Sequence, residues 1–246
     1  MEKFQVSYRL RSAECDRNNQ MRLRSLFNLF QDVADLHAEN LGLGYHFCLD
    51  NLMTWVGTGY HIKINRLPVR DEEFILKTWP TVSTGITAIR DFELKGKDGT
   101  VLVQASSSWA LIDLNRKRPV SIQKYLGELQ PLAERALEGD LKKIDLPETF
   151  DVVFQEVIRN DDIDINLHVN NSVYPSFILD GLNPEFQSDY TLKELWIQFK
   201  KSASIENKVA ISSKIIDNAS YHLVYNIDTQ EEYVRMNALW EKDKKD

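Results

Sequence analysis

One repeat constrains this chain more than any other feature. Asp164, Asn166 and His168 stand 148 positions after Asp16, Asn18 and Gln20 (164 − 16, 166 − 18 and 168 − 20), so a single polar spacing occurs twice. Val234 and Trp240 stand 131 positions after Val103 and Trp109 (234 − 103 and 240 − 109). The drift from 148 to 131 places shorter loops in the second copy, because length changes concentrate in loops. Two related units are expected.

Each copy reads in the same order. Phe4, Val6, Tyr8 and Leu10 alternate on one face of a strand, and a polar turn follows from Glu14 to Gln20. Leu26, Leu29, Phe30, Val33, Leu36 and Leu41 then recur at helical spacing until Gly42 and Gly44. His37, beside that stripe, reads as a packed or partly exposed helix residue rather than a catalytic one. Strand-like runs follow at 53–65, 73–82, 86–96 and 100–115, with Lys97-Asp98-Gly99 as a hairpin turn. The second half repeats this with a strand at 151–159, a polar turn, a helix from Asn171, and strands at 195–202, 208–217, 221–228 and 232–240. A long helix followed by consecutive antiparallel strands is an α+β pattern. The first unit is placed at 1–138, the second at 148–246, and a linker region at 121–147 is expected to be helical over 121–137.

Composition excludes several classes. The 246 residues suit one large domain or two joined ones of about 100–150 residues each. A net charge of −7 argues against a nucleic-acid or anionic-membrane surface, and no run near 20 apolar residues is present. Cys15 and Cys48 give neither a disulfide framework nor a metal-ligand spacing. Met1-Glu2-Lys3 runs straight into the first strand without an apolar signal core. The expectation is a cytoplasmic globular protein without a metal.

The stretch Asp161 to Asn171 carries the chemistry. In an extended backbone Asp162, Asp164, Asn166 and His168 would face a ligand while Ile163, Ile165 and Leu167 pack. Asn171 would cap a helix carrying Val173, Tyr174, Phe177, Ile178 and Leu182, with Gly181 near its end and Asn183-Pro184 as the stop. His168 and Asn170 would then sit ahead of free helix N–H groups that favour developing negative charge. Asp161, Asp162 and Asn171 read as ordinary turn and cap residues, whereas Asn166 with His168 reads as functional. The first copy supports this: it keeps the acid and the amide but carries Gln20 where the second has an imidazole.

Asp162 to Tyr174, with Asp-x-Asn-x-His-Val-Asn-Asn unbroken, resembles the active-site signature of plant and bacterial acyl-ACP thioesterases. The resemblance extends over nearly the whole chain, including Trp55-Val56 and the stretch Ser106 to Pro119. It implies a tandem (double) hotdog, each half a long helix wrapped by an antiparallel sheet, that hydrolyses fatty acyl thioesters without metal or organic cofactor. It implies an acyl-binding first half and a catalytic second half, with roles for Asp164, Asn166 and His168. It also implies an acidic residue followed by a cysteine on the next strand; the corresponding positions here are Ser202 and Ala203.

Thioester hydrolysis needs a water nucleophile, a proton acceptor and donors aimed at the oxyanion. His168 can act as base or donor. Asn166 can donate its amide to the thioester oxygen, and the helix N–H groups after His168 could add to that hole. Asp164 could orient either, although roughly 13 Å separates it from His168 if the chain is extended, so direct contact requires a bend. Without the cysteine a Cys-His-Asn mechanism loses its nucleophile and direct water attack is favoured. For the missing carboxylate the order of preference is His168 as base, Ser202 positioning the water, then Glu206 through a register shift.

The implied partner is an acyl carrier protein bearing a fatty acyl chain. Arg116, Lys117 and Arg118, with Lys200 and Lys201, are candidate docking charges for this acidic partner. Met53, Trp55 and Phe30 are candidate acyl-chain contacts, with Trp79, Leu26 and Val33 behind them. A homodimer is compatible with this reading. Alternatives are an acyl-CoA thioesterase on the same fold, a non-catalytic acyl-binding hotdog, and a hotdog dehydratase for which Asp180 is the nearby acid.

Overall fold

The computed structural model describes residues 1–139 and 141–243; Asp140 of the expected linker and the last three residues of the expected second unit lie outside the described residues, and the side chains of residues 82–84 are not described. The chain divides into two compact units, Met1–Leu141 and Lys142–Asp246.

The first unit contains β1 (Phe4–Arg9), α1 (Leu23–Asn40), α2 (Tyr45–Asn51), β2 (Met53–Ile64), β3 (Glu73–Thr84), β4 (Thr87–Gly96), β5 (Val101–Asp113) and the short β6 (Arg118–Val120). Its antiparallel order is β1-β3-β4-β5-β2, with β6 pairing to β5. The second unit contains β7 (Val152–Glu156), α3 (Val173–Asp180), α4 (Pro184–Asp189), β8 (Tyr190–Phe199), β9 (Val209–Ile216), β10 (Ala219–Asn226) and β11 (Glu232–Lys242). Its order is β7-β9-β10-β11-β8. In both units the strands, taken in chain order, lie first, third, fourth, fifth, second. The repeat seen in the polar spacing is therefore a repeat of topology.

In the first unit α1 turns Leu23, Leu26, Phe27, Phe30, Val33, Ala34 and His37 to the interior. This is the i, i+3, i+4, i+7 stripe of a helix lying on a sheet. Phe30 stacks on Phe92 of β4 at 4.5 Å between centroids, and Phe27 meets Tyr60 of β2 edge-on at 5.0 Å. Truncating a buried ring such as Phe30 costs about 3–5 kcal/mol.

Two expectations are corrected. The stretch 121–137 is not a helix: only Ile122–Lys124 forms a single 3-10 turn, and residues 132–136 bond to the first unit's sheet. Gly127 adopts a positive φ of 55°, and backbone and side-chain groups of β3 and β4 satisfy the backbone beyond it. Leu132 donates to the Pro80 carbonyl, the Trp79 indole donates to the Glu134 carbonyl, and buried Asp91 accepts from the Ala136 amide at 2.7 Å and the Arg135 guanidinium at 3.0 Å. The second unit also lacks a long helix. Its α3 ends at Asp180, a Cβ at Gly181 would overlap the Phe154 ring, and Asn183 caps a new helix that starts on Pro184.

Two imidazoles are buried without a carboxylate partner among the described residues. His37 stacks on Phe4 and faces the Arg90 guanidinium, with 3.0 Å between Nδ1 and the nearest guanidinium nitrogen. His222 sits between the Ser213 and Ser220 hydroxyls at 2.8 Å from each. Burial, helped by Arg90, pushes His37 down to about 4, and burial alone pushes His222 down to about 3. Among the described residues no helix is long and apolar enough to cross a membrane, and no group of three or more His, Cys, Asp or Glu is placed to hold a metal.

These imidazoles set an acid-side stability slope. The unfolded chain takes up their protons near the ordinary value of 6.5, above the folded values, so their contribution is complete above 6.5 and is lost as pH falls towards 4 and then 3. Urea unfolding is expected to lose a few kcal/mol over that window. A His37→Gln, His222→Gln double variant should show a shallower slope over the same range, and an unchanged slope would contradict the assignment.

Candidate active site

The stretch expected to be extended is instead a closed turn. A 3-10 turn at Asn160–Asp162 leads to a bridge between Ile163 and Val169, and residues 164–168 reverse the chain between them. Asp164 builds the reversal. Its amide donates to the His168 carbonyl at 2.8 Å, its carbonyl accepts from Leu167 at 3.0 Å, and its Oδ1 accepts from the Asn166 amide at 2.8 Å and the His168 amide at 3.3 Å. The bend that contact between Asp164 and His168 requires is present, but the contact is from carboxylate to backbone. The alternation fails with it: Ile165 is 85% exposed and Leu167 76% exposed, where an extended reading packs both.

The first unit builds the same turn. Asp16 donates to the Gln20 carbonyl at 2.8 Å, and its Oδ1 accepts from the Asn18 amide at 2.8 Å and the Gln20 amide at 3.0 Å. Cys15 bridges Met21 as Ile163 bridges Val169. Arg11 and Glu14 form the capping box that Arg159 and Asp162 form in the second unit. Asn19 has φ 60° and Leu167 φ 63°. The recurring acid is thus a turn-building group, as side chains that bond their own backbone two residues on make tight turns.

What differs is the side chains that the turn displays. Asn166 and His168 are exposed, and neither side chain has a hydrogen-bond partner among the described residues. Val169 donates to the Ala203 carbonyl at 2.8 Å, and Ala203 donates to the buried Tyr174 hydroxyl at 3.0 Å. These bonds pin Ser202-Ala203 beside His168-Val169, with Ser202 exposed and Ala203 fully buried. Burial pushes the Tyr174 hydroxyl well above the ordinary phenol range, which keeps it a neutral anchor. Tyr174 is the site residue that sequence reasoning treated only as helix packing. Glu206 lies on the exposed turn beyond.

The helix N-terminus is corrected too. Asn171 is not the cap: Asn170 accepts from the Ser172 amide through its side chain and from Val173 through its carbonyl, while its own amide donates to Asp162. The amides of 169, 170, 172 and 173 are therefore committed, and the oxyanion donors expected from them are not available. Asn166 is left as the side-chain donor on the turn. Asp180 stands at the opposite end of α3 from His168, with its carboxyl pushed up by burial; it makes no acid partner for the imidazole, which removes support for a dehydratase.

The other candidates scatter. Met53 packs with Cys48 and Leu111, and Trp55 packs against that cluster while donating to the Leu43 carbonyl; Phe30 lies in the α1 core and is not part of it. Arg116 and Lys117 are exposed on the turn after β5 and Arg118 is exposed at the start of β6, with Arg116 held by Asp113 and Lys117 at φ 51°. Lys200 is exposed, and Lys201 pairs with Glu231.

Family descriptions match both units: the Acyl-ACP thioesterase N-terminal domain over residues 1–128 and the Acyl-ACP thioesterase C-terminal domain over residues 151–242. The chain belongs to the acyl-ACP thioesterase family. Among curated members, it is 25% identical over 230 residues to oleoyl-acyl carrier protein thioesterase 2 of Arabidopsis thaliana, covering 84% of this chain and 61% of that one. It is 24% identical over 265 residues to palmitoyl-acyl carrier protein thioesterase of Gossypium hirsutum, covering 96% and 63%. The chain spans less than two thirds of the length of these relatives. Two solved structures share its fold, confirming the double hotdog: the 12:0-ACP thioesterase from Umbellularia californica (TM-score 0.86, 19% identity, 98% of each chain) and an acyl-ACP thioesterase from Bacteroides thetaiotaomicron (TM-score 0.84, 22% identity, 97% of this chain and 98% of that one).

The two acyl-ACP thioesterase turns predict matched stability effects. Asp16→Ala and Asp164→Ala should each lower unfolding free energy by about 1 kcal/mol, because each strands two backbone donors at a part-exposed site. Urea titrations of both variants check this, and a loss confined to Asp164→Ala would remove the shared turn role.

Proposed function

We propose that this protein hydrolyses fatty acyl thioesters carried on an acyl carrier protein, by direct attack of water at the second unit's turn. The observation that carries this is the paired turn: both units build the same hydrogen-bonded loop, and only the second displays an imidazole, two residues from an amide side chain that is also open. In this reading the His168 imidazole takes a proton from water as the water oxygen bonds the thioester carbonyl carbon. The Asn166 amide donates to the resulting oxyanion, and collapse breaks the carbon–sulfur bond. The thiolate leaves with the proton from His168, and the acid is released.

Asp164 acts as a positioning residue, because its carboxylate holds the amides of Asn166 and His168. Ser202 is proposed to position the water, supported by the backbone clamp that fixes its neighbour Ala203 to Val169. Neither cysteine belongs to the second unit; both are buried, and burial pushes the Cys48 thiol up, which supports water as the nucleophile. Arg116, Lys117, Arg118 and Lys200 are proposed contacts for an acidic carrier, and the cluster around Met53 and Trp55 is the proposed acyl contact in the first unit. Self-association is proposed through β7, whose Val152 and Val153 are exposed at the edge of the second unit's sheet. Two free buried thiols support a reducing, cytoplasmic setting.

Thiol release from acyl-ACP across chain lengths, run beside the same acyl groups on CoA, tests the proposal. His168→Ala and Asn166→Ala should each cut kcat by about 100-fold or more with unchanged thermal stability, and Gln20→Ala should leave kcat intact. A folded wild-type protein that releases no thiol from any acyl-ACP would end the reading.

A further inference from the structure

The two turns share their hydrogen bonds but not their exposed faces. Where the second unit carries Ile165 and Leu167, the first carries Arg17 and Asn19 at the same 148-residue offset (165 − 17 and 167 − 19). Both first-unit residues are exposed and polar, as a solvated turn ordinarily is. Single exposed apolar residues are common and need no explanation. Here, however, two large aliphatic side chains at 85% and 76% exposure flank one residue, on a turn that the same chain builds elsewhere with polar groups. Leu167 also holds φ 63°, a left-handed conformation that suits Asn, as at Asn19 with φ 60°, and penalises a bulky side chain. The second unit therefore keeps a residue that is unfavourable both for solvation and for its own backbone.

The residue between these two aliphatics is Asn166, and the residue after them is His168. A molecule that reaches both polar side chains comes to the turn on which these two exposed aliphatic groups stand. We infer that Ile165 and Leu167 are substrate contacts, an apolar seat that holds the thioester arm on either side of its reacting carbon. This rests on the thioester reading above. The seat takes an uncharged, apolar-flanked thioester and disfavours one with a charge next to the sulfur or the carbonyl carbon, since that charge would lose water against two aliphatic groups. Strain kept beside a reactive group is where such costs are usually retained.

The test exchanges the copies. Ile165→Asn and Leu167→Asn are expected to raise KM and lower kcat/KM about tenfold or more on acyl-ACP and equally on an acyl-N-acetylcysteamine thioester, which has the arm's end but no carrier protein. Leu167→Asn should keep or raise Tm, by about 2 °C, since Asn tolerates the left-handed turn. The reciprocal Asn19→Leu should lower Tm and leave kcat/KM unchanged. Unaltered kcat/KM in both second-unit variants, with wild-type turnover intact, overturns the inference without touching the proposed reaction. A loss seen on acyl-ACP but not on the small thioester assigns the patch to the carrier protein and overturns it as well. A change in sedimentation coefficient in these variants would mean that a second copy covers the patch, which also overturns it. Absence of thioester turnover in the wild type would instead be a failure of the parent reading.

Discussion

A single carboxylate oxygen accepting two backbone amides is the interaction on which the site depends. Asp164 Oδ1 takes the amides of Asn166 and His168, and its own amide closes onto the His168 carbonyl. Those bonds fix the reversal that lets Val169 reach Ala203 and Asn170 reach Asp162. Without the reversal the four residues would extend along a strand and their side chains would separate by their spacing in the chain. The acid is thus committed to geometry, and the side chains of Asn166 and His168 are displayed on the turn that it holds.

The same turn in the first unit separates architecture from chemistry. Asp16 forms the equivalent bonds, and Gln20 stands where the second unit has His168. The units diverge elsewhere. The first keeps an 18-residue α1 over a sheet packed with aromatic rings, whereas the second shortens its helix to 8 residues and draws the 200–208 segment onto the turn through Tyr174 and Ala203.

Much of this was legible in the sequence, because strands, the α1 stripe and the repeat all follow from side-chain periodicity. The alternation from Asp162 to His168 was misleading: its period of two matched a strand, but a carboxylate able to capture amides two and four residues on competes with an extended backbone. The helical reading of 121–137 failed for a related reason. Its backbone is satisfied by Pro80, Trp79 and Asp91, residues distant in sequence that no local pattern announces. The commitment of the amides after His168 was equally hidden, because Ala203 and Asp162 become their acceptors only once the turn has closed. The acid and the amide of the turn could be read from spacing, whereas the duties that the turn leaves them could not.

Gly181 carries a consequence of another kind. The Phe154 ring occupies the space where any other residue would place its first side-chain carbon. Even an alanine at 181 must therefore evict an aromatic ring of β7. Position 181 is closed to any side chain until position 154 gives up its ring, so substitutions at this pair are tolerated in one order and not in the other.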